Sequence, residues 1–172
     1  PRAAGLAFRT PVVLVPSLIN RHYVLDLTPG KSFVEDMVAR GHDVLALPDG
    51  KDARAELDRG PVDLVVSDIR MTDVDGLQLT DRMREAAPDT PVVLVTAFGN
   101  VEGAVEAIRR GAFDYISKPY DVDAIAVVVE RALRQRSLVL ENRALRGQVR
   151  ERYRLEDVVG RSLLCRLLLR HR

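Results

Sequence analysis

The chain has 172 residues and a mass of 19.1 kDa, room for one domain of ordinary size and an appendage but not for two full domains. It is 47% apolar and 30% charged with a mean hydropathy of −0.05, which excludes wholesale disorder, and no apolar run approaches the roughly 20 residues of a membrane-spanning helix. The net charge of +1 conceals two parts of opposite sign: from Arg131 onward 12 Arg stand against 4 Asp and Glu, a balance of +8, leaving 14 Lys and Arg against 21 acids, a balance of −7, in residues 1–130.

In chain order, residues 6–19 have some of the apolar character of a secretory signal, but Arg9, Pro11 and Pro16 interrupt it. Residues 32–40 are predicted helical, with Phe33, Met37 and Val38 on one face and Gly41 as the stop. Residues 44–47 form a predicted strand, followed by the turn Pro48-Asp49-Gly50 and a helical stretch over 53–59. The nearly continuous apolar run 62–67 suits a central parallel strand buried on both faces. A helix over about 77–86 is stopped by Pro88, 92–96 is a second buried strand, and 101–110 is a helix stopped by Gly111. Residues 113–117 make a last short strand, and Asp121 opens a helix with apolar positions at Ile125, Val128, Val129 and Ala132. Strands alternating with helices through short links require a parallel sheet covered on both faces. The size fits a flavodoxin-like α/β domain, a doubly wound five-stranded parallel sheet of order 2-1-3-4-5, here with a long C-terminal helix.

Ligands of such sheets bind beyond the carboxyl ends of the strands. Three polar residues fall there: Asp68 after 62–67, Thr96 at the end of 92–96, and Lys118, followed by Pro119, after 113–117. Singly, each has a plainer role, as helix cap, strand-end residue or solvated charge. Converging on one edge, a carboxylate, a hydroxyl and an ammonium can attack, orient and neutralise a phosphoryl group.

These residues resemble the receiver domain of two-component response regulators. Ser67-Asp68-Ile69-Arg70-Met71-Thr72-Asp73-Val74-Asp75-Gly76 resembles the phosphoacceptor strand and the loop after it, and Val95-Thr96-Ala97-Phe98-Gly99 the segment with the family's hydroxyl. Gly111-Ala112-Phe113-Asp114-Tyr115-Ile116-Ser117-Lys118-Pro119 resembles the last strand with its lysine and its proline, usually joined by a cis bond. The resemblance implies that Asp68 accepts a phosphoryl group from a sensor histidine kinase, that Thr96 and Lys118 hold it, and that Tyr115 is an aromatic switch. It also implies Mg²⁺, held by Asp68, by the Arg70 carbonyl and by an acidic pair after the first strand. Two departures stand out: Thr72 replaces the usual proline, and the acidic pair is missing. Counted back without gaps from Gly41, the pair falls on Val24 and Leu25; Asp26 is the nearest carboxylate and becomes the remaining metal candidate. An alternative first strand, 12–15, is followed by Pro16-Ser17 and offers no acid.

Beyond the receiver, Val128, Leu138, Asn142, Leu145 and Val149 occupy a and d positions of a heptad register, with Arg131 and Gln135 as polar exceptions and Gly147 costing about 1 kcal/mol against Ala. Either a dimeric coiled coil or a single helix packed on its own domain gives this spacing. Residues 153–162, from Tyr153 to Ser162, resemble the opening of the AAA+ ATPase domain in the nitrogen-regulation type of regulator, which works with an alternative sigma factor. No phosphate-loop motif occurs in the chain, so no ATPase activity is expected and the protein is read as no enzyme beyond self-phosphorylation. The domain reading is an atypical N-terminal extension over 1–22, a receiver over 23–136, a linker helix over 137–154 and a truncated ATPase start or aberrant tail over 155–172. The start at Pro1 also points to a fragment.

Two functions are expected in order: a receiver controlling a transcription-activating output outside this chain, or a pseudo-receiver serving only as a dimerisation module. The resemblance implies a homodimer through the linker helix and the face of the last strand and helix, and DNA contact only through a C-terminal domain not in this sequence. A single cysteine, Cys165, excludes an internal disulfide and suits a reducing cytosol, so a cytoplasmic protein is expected, and without a membrane-length apolar run no membrane partner is expected. A phosphatase of the haloacid dehalogenase type is rejected because Arg70 stands where its second Asp is required.

Overall fold

The computed structural model describes residues 11–15, 32–47, 50–71, 74–97 and 101–152. The order of elements is β1 (Pro11–Val15), α1 (Phe33–Ala39), β2 (Asp43–Ala46), α2 (Gly50–Leu57), β3 (Leu64–Asp68), α3 (Gly76–Ala86), β4 (Val92–Thr96), α4 (Val101–Arg110), β5 (Asp114–Ser117) and α5 (Val122–Arg152). The five strands are all parallel, in the order β2-β1-β3-β4-β5. This is the expected flavodoxin-like fold with its long C-terminal helix.

Strand alternation sorts the core into two layers. On one face Val12, Leu14, Leu64, Val66, Val93 and Val95 meet Phe33 and Met37 of α1 and Ile125, Val129 and Ala132 of α5. On the other, Val13, Val15, Val65, Val92 and Leu94 meet Ala53 of α2, Leu79 and Met83 of α3 and Ala107 of α4. Full burial of such side chains contributes about 1.5–3 kcal/mol each, so β1, β3 and β4 anchor the domain.

Local signals set the helix ends. Ser32 caps α1 by accepting from the Glu35 N–H at 3.1 Å, and Glu35 and Asp36 favour the positive end of its dipole. Asp75 and Gln78 form a capping box at the start of α3, with the Gln78 N–H donating to Asp75 Oδ1 at 2.7 Å. Gly111 stops α4 with φ +103°, a conformation that L side chains avoid.

The first strand corrects the sequence reading. The receiver does not begin at residue 23: β1 is Pro11–Val15, inside the segment read as an extension over 1–22. It pairs with β2 on one side and β3 on the other, and Val12, Val13, Leu14 and Val15 are each at most 1% exposed. An interior parallel strand must bury both faces, which this run does. Asp26 lies outside the described residues.

Two compact units divide the chain, Pro1–Arg136 and Ser137–Arg172. In the second, Leu138, Leu145 and Val149 are more than half exposed. Among the described residues no helix is long and apolar enough to cross a membrane.

His42, just ahead of β2, is 5% exposed, and burial lowers its pKa below the ordinary 6.5, opposed in part by the charge of Asp63 and assisted by Arg40. The unfolded chain therefore takes up a proton at about pH 6.5 that the folded chain refuses until lower pH. Stability from this group is lost as pH falls through that window. Urea unfolding across pH 5–7.5 is expected to show a shallower decline in His42→Gln than in the parent chain; parallel curves would contradict this origin.

Candidate functional site at the carboxyl edge of the sheet

The sheet delivers the three predicted residues to one edge. Asp68 is the last residue of β3 and Thr96 the last of β4, while Lys118 follows β5. Pairing of Asp68 with Val95 and of Thr96 with Ser117 brings the three strand ends level. The Lys118 N–H donates to the Thr96 carbonyl at 2.7 Å, and the Lys118–Pro119 peptide is cis, as the resemblance implied.

Asp68 is 6% exposed and both of its carboxylate oxygens are engaged. Lys118 Nζ donates to Oδ2, and the Arg70 N–H donates to Oδ1 at 2.9 Å. The ion pair is largely withdrawn from water, with side-chain exposures of 17% for Lys118 and 7% for Asp68. Thr96 is 5% exposed on the adjacent strand end. Ser67 Oγ donates to the Asp68 carbonyl at 3.0 Å, and the Ile69 and Gly76 N–H groups bond to Val95 and Ile69 carbonyls at 2.9 Å each. The backbone around the carboxylate is thus held on several sides, which presents a nucleophilic oxygen beside a fixed cation.

Tyr120 belongs to this neighbourhood, and sequence reasoning missed it. Burial first, then the Asp68 charge, pushes its hydroxyl up to about 12. The signal was its position directly after the Lys118-Pro119 step. Tyr115, the expected switch, lies half-buried in β5 and packs against the layer formed with α2, α3 and α4.

The metal expectation fares differently. Val15 of β1 lies beside Ser67, one residue short of Asp68, and the sequence continues as Pro16-Ser17, without a carboxylate. Arg70 reaches Asp68 through its N–H. Among the described residues no group of three or more His, Cys, Asp or Glu side chains comes together. Mg²⁺ asks for hard oxygen ligands in octahedral array, and one carboxylate already bound to a lysine does not fit that demand.

Comparison with known proteins accounts for both results. Residues 31–130 match the response regulator receiver domain, whereas residues 4–37 match the N-terminus of poly-beta-hydroxybutyrate polymerase (PhaC). β1 therefore lies outside the receiver match. The C4-dicarboxylate transport transcriptional regulatory protein DctD of Pseudomonas aeruginosa is 48% identical over 100 residues, 58% of this chain and 22% of its own length. The nitrogen assimilation regulatory protein NtrX of Azorhizobium caulinodans is 37% identical over 133 residues, 74% of this chain and 28% of its own length. The crystal structure of NtrX from Brucella abortus superposes with a TM-score of 0.67 at 31% identity, covering 80% of this chain and 30% of that one. This chain thus spans between a fifth and a third of these relatives. Receiver domains as a family bind Mg²⁺, and among the described residues the groups for it are not assembled. With the family match covering more than half of the sequence and the strand order and strand-end residues agreeing, the chain belongs to the response regulator receiver domain family.

Proposed function

We propose that Asp68 is the phosphoacceptor of this receiver and that a sensor histidine kinase supplies the phosphoryl group. The observation that carries this is the buried Asp68–Lys118 pair with Thr96 on the neighbouring strand end. An Asp68 oxygen attacks the phosphorus of a phosphohistidine, the P–N bond breaks and its electron pair leaves with the imidazole. An acyl phosphate results on Asp68. Lys118 and the Thr96 hydroxyl offset and orient the new phosphoryl oxygens. The added charge biases a two-state equilibrium through Thr96 and Tyr115, read out on α4, β5 and α5. On α4, Val101, Val105 and Ile108 are 79%, 45% and 49% exposed, an apolar face open to a partner.

Receiver domains engage histidine kinases and can dimerise. For this chain the dimer would form through α5, whose Leu138, Leu145 and Val149 remain exposed around the polar a-position Asn142. The output would be transcriptional, as in DctD and NtrX, and the setting cytoplasmic. The chain turns over no substrate; it is an acceptor that phosphorylates itself from a donor.

The test is intact-mass spectrometry after incubation with phosphoramidate, a small P–N donor, in Mg²⁺-containing buffer. One added phosphoryl group is expected, absent in Asp68→Asn and removed by hydroxylamine. No adduct on a chain with a cooperative unfolding transition, or an adduct that persists in Asp68→Asn, would overturn the assignment.

A further inference from the structure

We infer that, among the described residues, Lys118 alone balances the charge of Asp68, and that the pocket takes no divalent cation. The inference deepens the phosphoacceptor reading and rests on it. Three observations converge. Both carboxylate oxygens of Asp68 already have donors, Lys118 Nζ on Oδ2 and the Arg70 N–H on Oδ1, so a metal would have to displace or share them. The strand beside Asp68 offers nothing in exchange: β1 runs in register with Val15 next to Ser67, and the two residues that follow in the chain are Pro16 and Ser17. Finally, β1 falls within the stretch that matches the polymerase N-terminus, while the receiver match starts at residue 31.

The physical logic is that a sheet and a metal site impose different demands on the same strand. To complete the sheet, a segment needs only four or five apolar residues in register, a requirement that Val12, Val13, Leu14 and Val15 satisfy from whatever family they derive. To complete an Mg²⁺ site, it needs carboxylates at defined positions beyond the strand end, because the ion accepts hard oxygens in a near-octahedral arrangement and keeps waters on the remaining positions. The first demand is met here, and among the described residues the second is not. Lys118 sits directly on Asp68 and supplies a counter-charge to its carboxylate.

Mn²⁺, a paramagnetic stand-in with the same ligand preference, provides the test. The free-ion electron paramagnetic resonance signal is followed while the 172-residue chain is titrated in, at millimolar concentrations of both. The wild-type chain is expected to leave the signal undiminished. Grafting the family's acids with Pro16→Asp/Ser17→Asp is expected to remove one Mn²⁺ per chain from the free pool, and adding Asp68→Asn to that variant to return it. Circular dichroism melts establish that each variant is folded. Overturning results are one bound Mn²⁺ per wild-type chain that is lost in Asp68→Asn, or a folded double variant that binds no ion. If the double variant does not fold, the wild-type and Asp68→Asn titrations decide by themselves. No phosphoryl donor is present, so failure here is separate from failure to form an adduct on Asp68.

Discussion

Gly76→Ala is expected to destabilise the receiver by about 3 kcal/mol, at the upper end of what overpacking costs. Gly76 opens α3 and is buried. A Cβ built there would stand 2.4 Å from the Asp68 carbonyl oxygen, 3.0 Å from Ile69 Cα and 3.0 Å from Leu94 Cδ2. Two of the three are backbone atoms at the end of β3, and a backbone held by pairing on both sides cannot swing away as a side-chain tip would. Relief must come from moving the start of α3 or the end of β3, and the second displaces Asp68 itself. Because a domain of this kind has a total stability of about 5–15 kcal/mol, the urea midpoint should fall markedly. The yield of phosphoryl adduct should fall too, even at denaturant-free, low-temperature conditions where the variant remains folded. A shift below about 1 kcal/mol with full adduct yield would show that the α3 start yields easily.

The second large effect lies at the opposite edge of the sheet. Arg136 of α5 is 9% exposed, and its Nε donates to Asp63 Oδ1 at 3.0 Å. Its Nη1 donates to the Asp89 carbonyl at 3.0 Å and to Thr90 Oγ1 at 2.9 Å. Asp63 and Thr90 precede β3 and β4, so one guanidinium ties α5 to the amino ends of two interior strands. Arg136→Met keeps much of the apolar stem and removes every donor, which strands a largely buried carboxylate. Breaking such a pair from one side costs about 3 kcal/mol. A double-mutant cycle with Asp63→Asn should return a coupling energy of about 1 kcal/mol or more; a cycle that closes to zero would mean the contact is ornamental to stability. Since Asp68 sits at the other end of β3, adduct formation well below the melting temperature should survive Arg136→Met. That separates this variant from Gly76→Ala, where stability and chemistry fall together.

Much of this molecule was legible before any coordinates. The runs 92–96 and 101–110 coincide with β4 and α4, because a fully buried strand and a strongly amphipathic helix each write their period plainly into the sequence. Asp68, Thr96 and Lys118 were legible for a related reason: each sits one step past an apolar run, and a doubly wound sheet puts all such positions on one edge. The boundary of α2 was less legible. It begins at Gly50 rather than at 53, since Pro48-Asp49-Gly50 reads as a turn ahead of the helix. The long C-terminal helix was legible as well, from apolar positions that repeat from Val128 to Val149, and α5 runs from Val122 to Arg152.

The amino-acid sequence by itself determined the fold class and the three-residue edge, because both follow from local period and from the right-handed, parallel wiring it forces. Tertiary structure alone decided which of two short apolar runs is β1. That choice depends on having neighbours on both sides: Pro11–Val15 pairs with β2 and β3 and buries both faces, and no count along the chain carries that information. The same holds for Arg136 on Asp63, a contact between residues 73 apart in sequence. That partner is chosen by packing in three dimensions, where a buried charge must find its counter-charge wherever the fold has placed it.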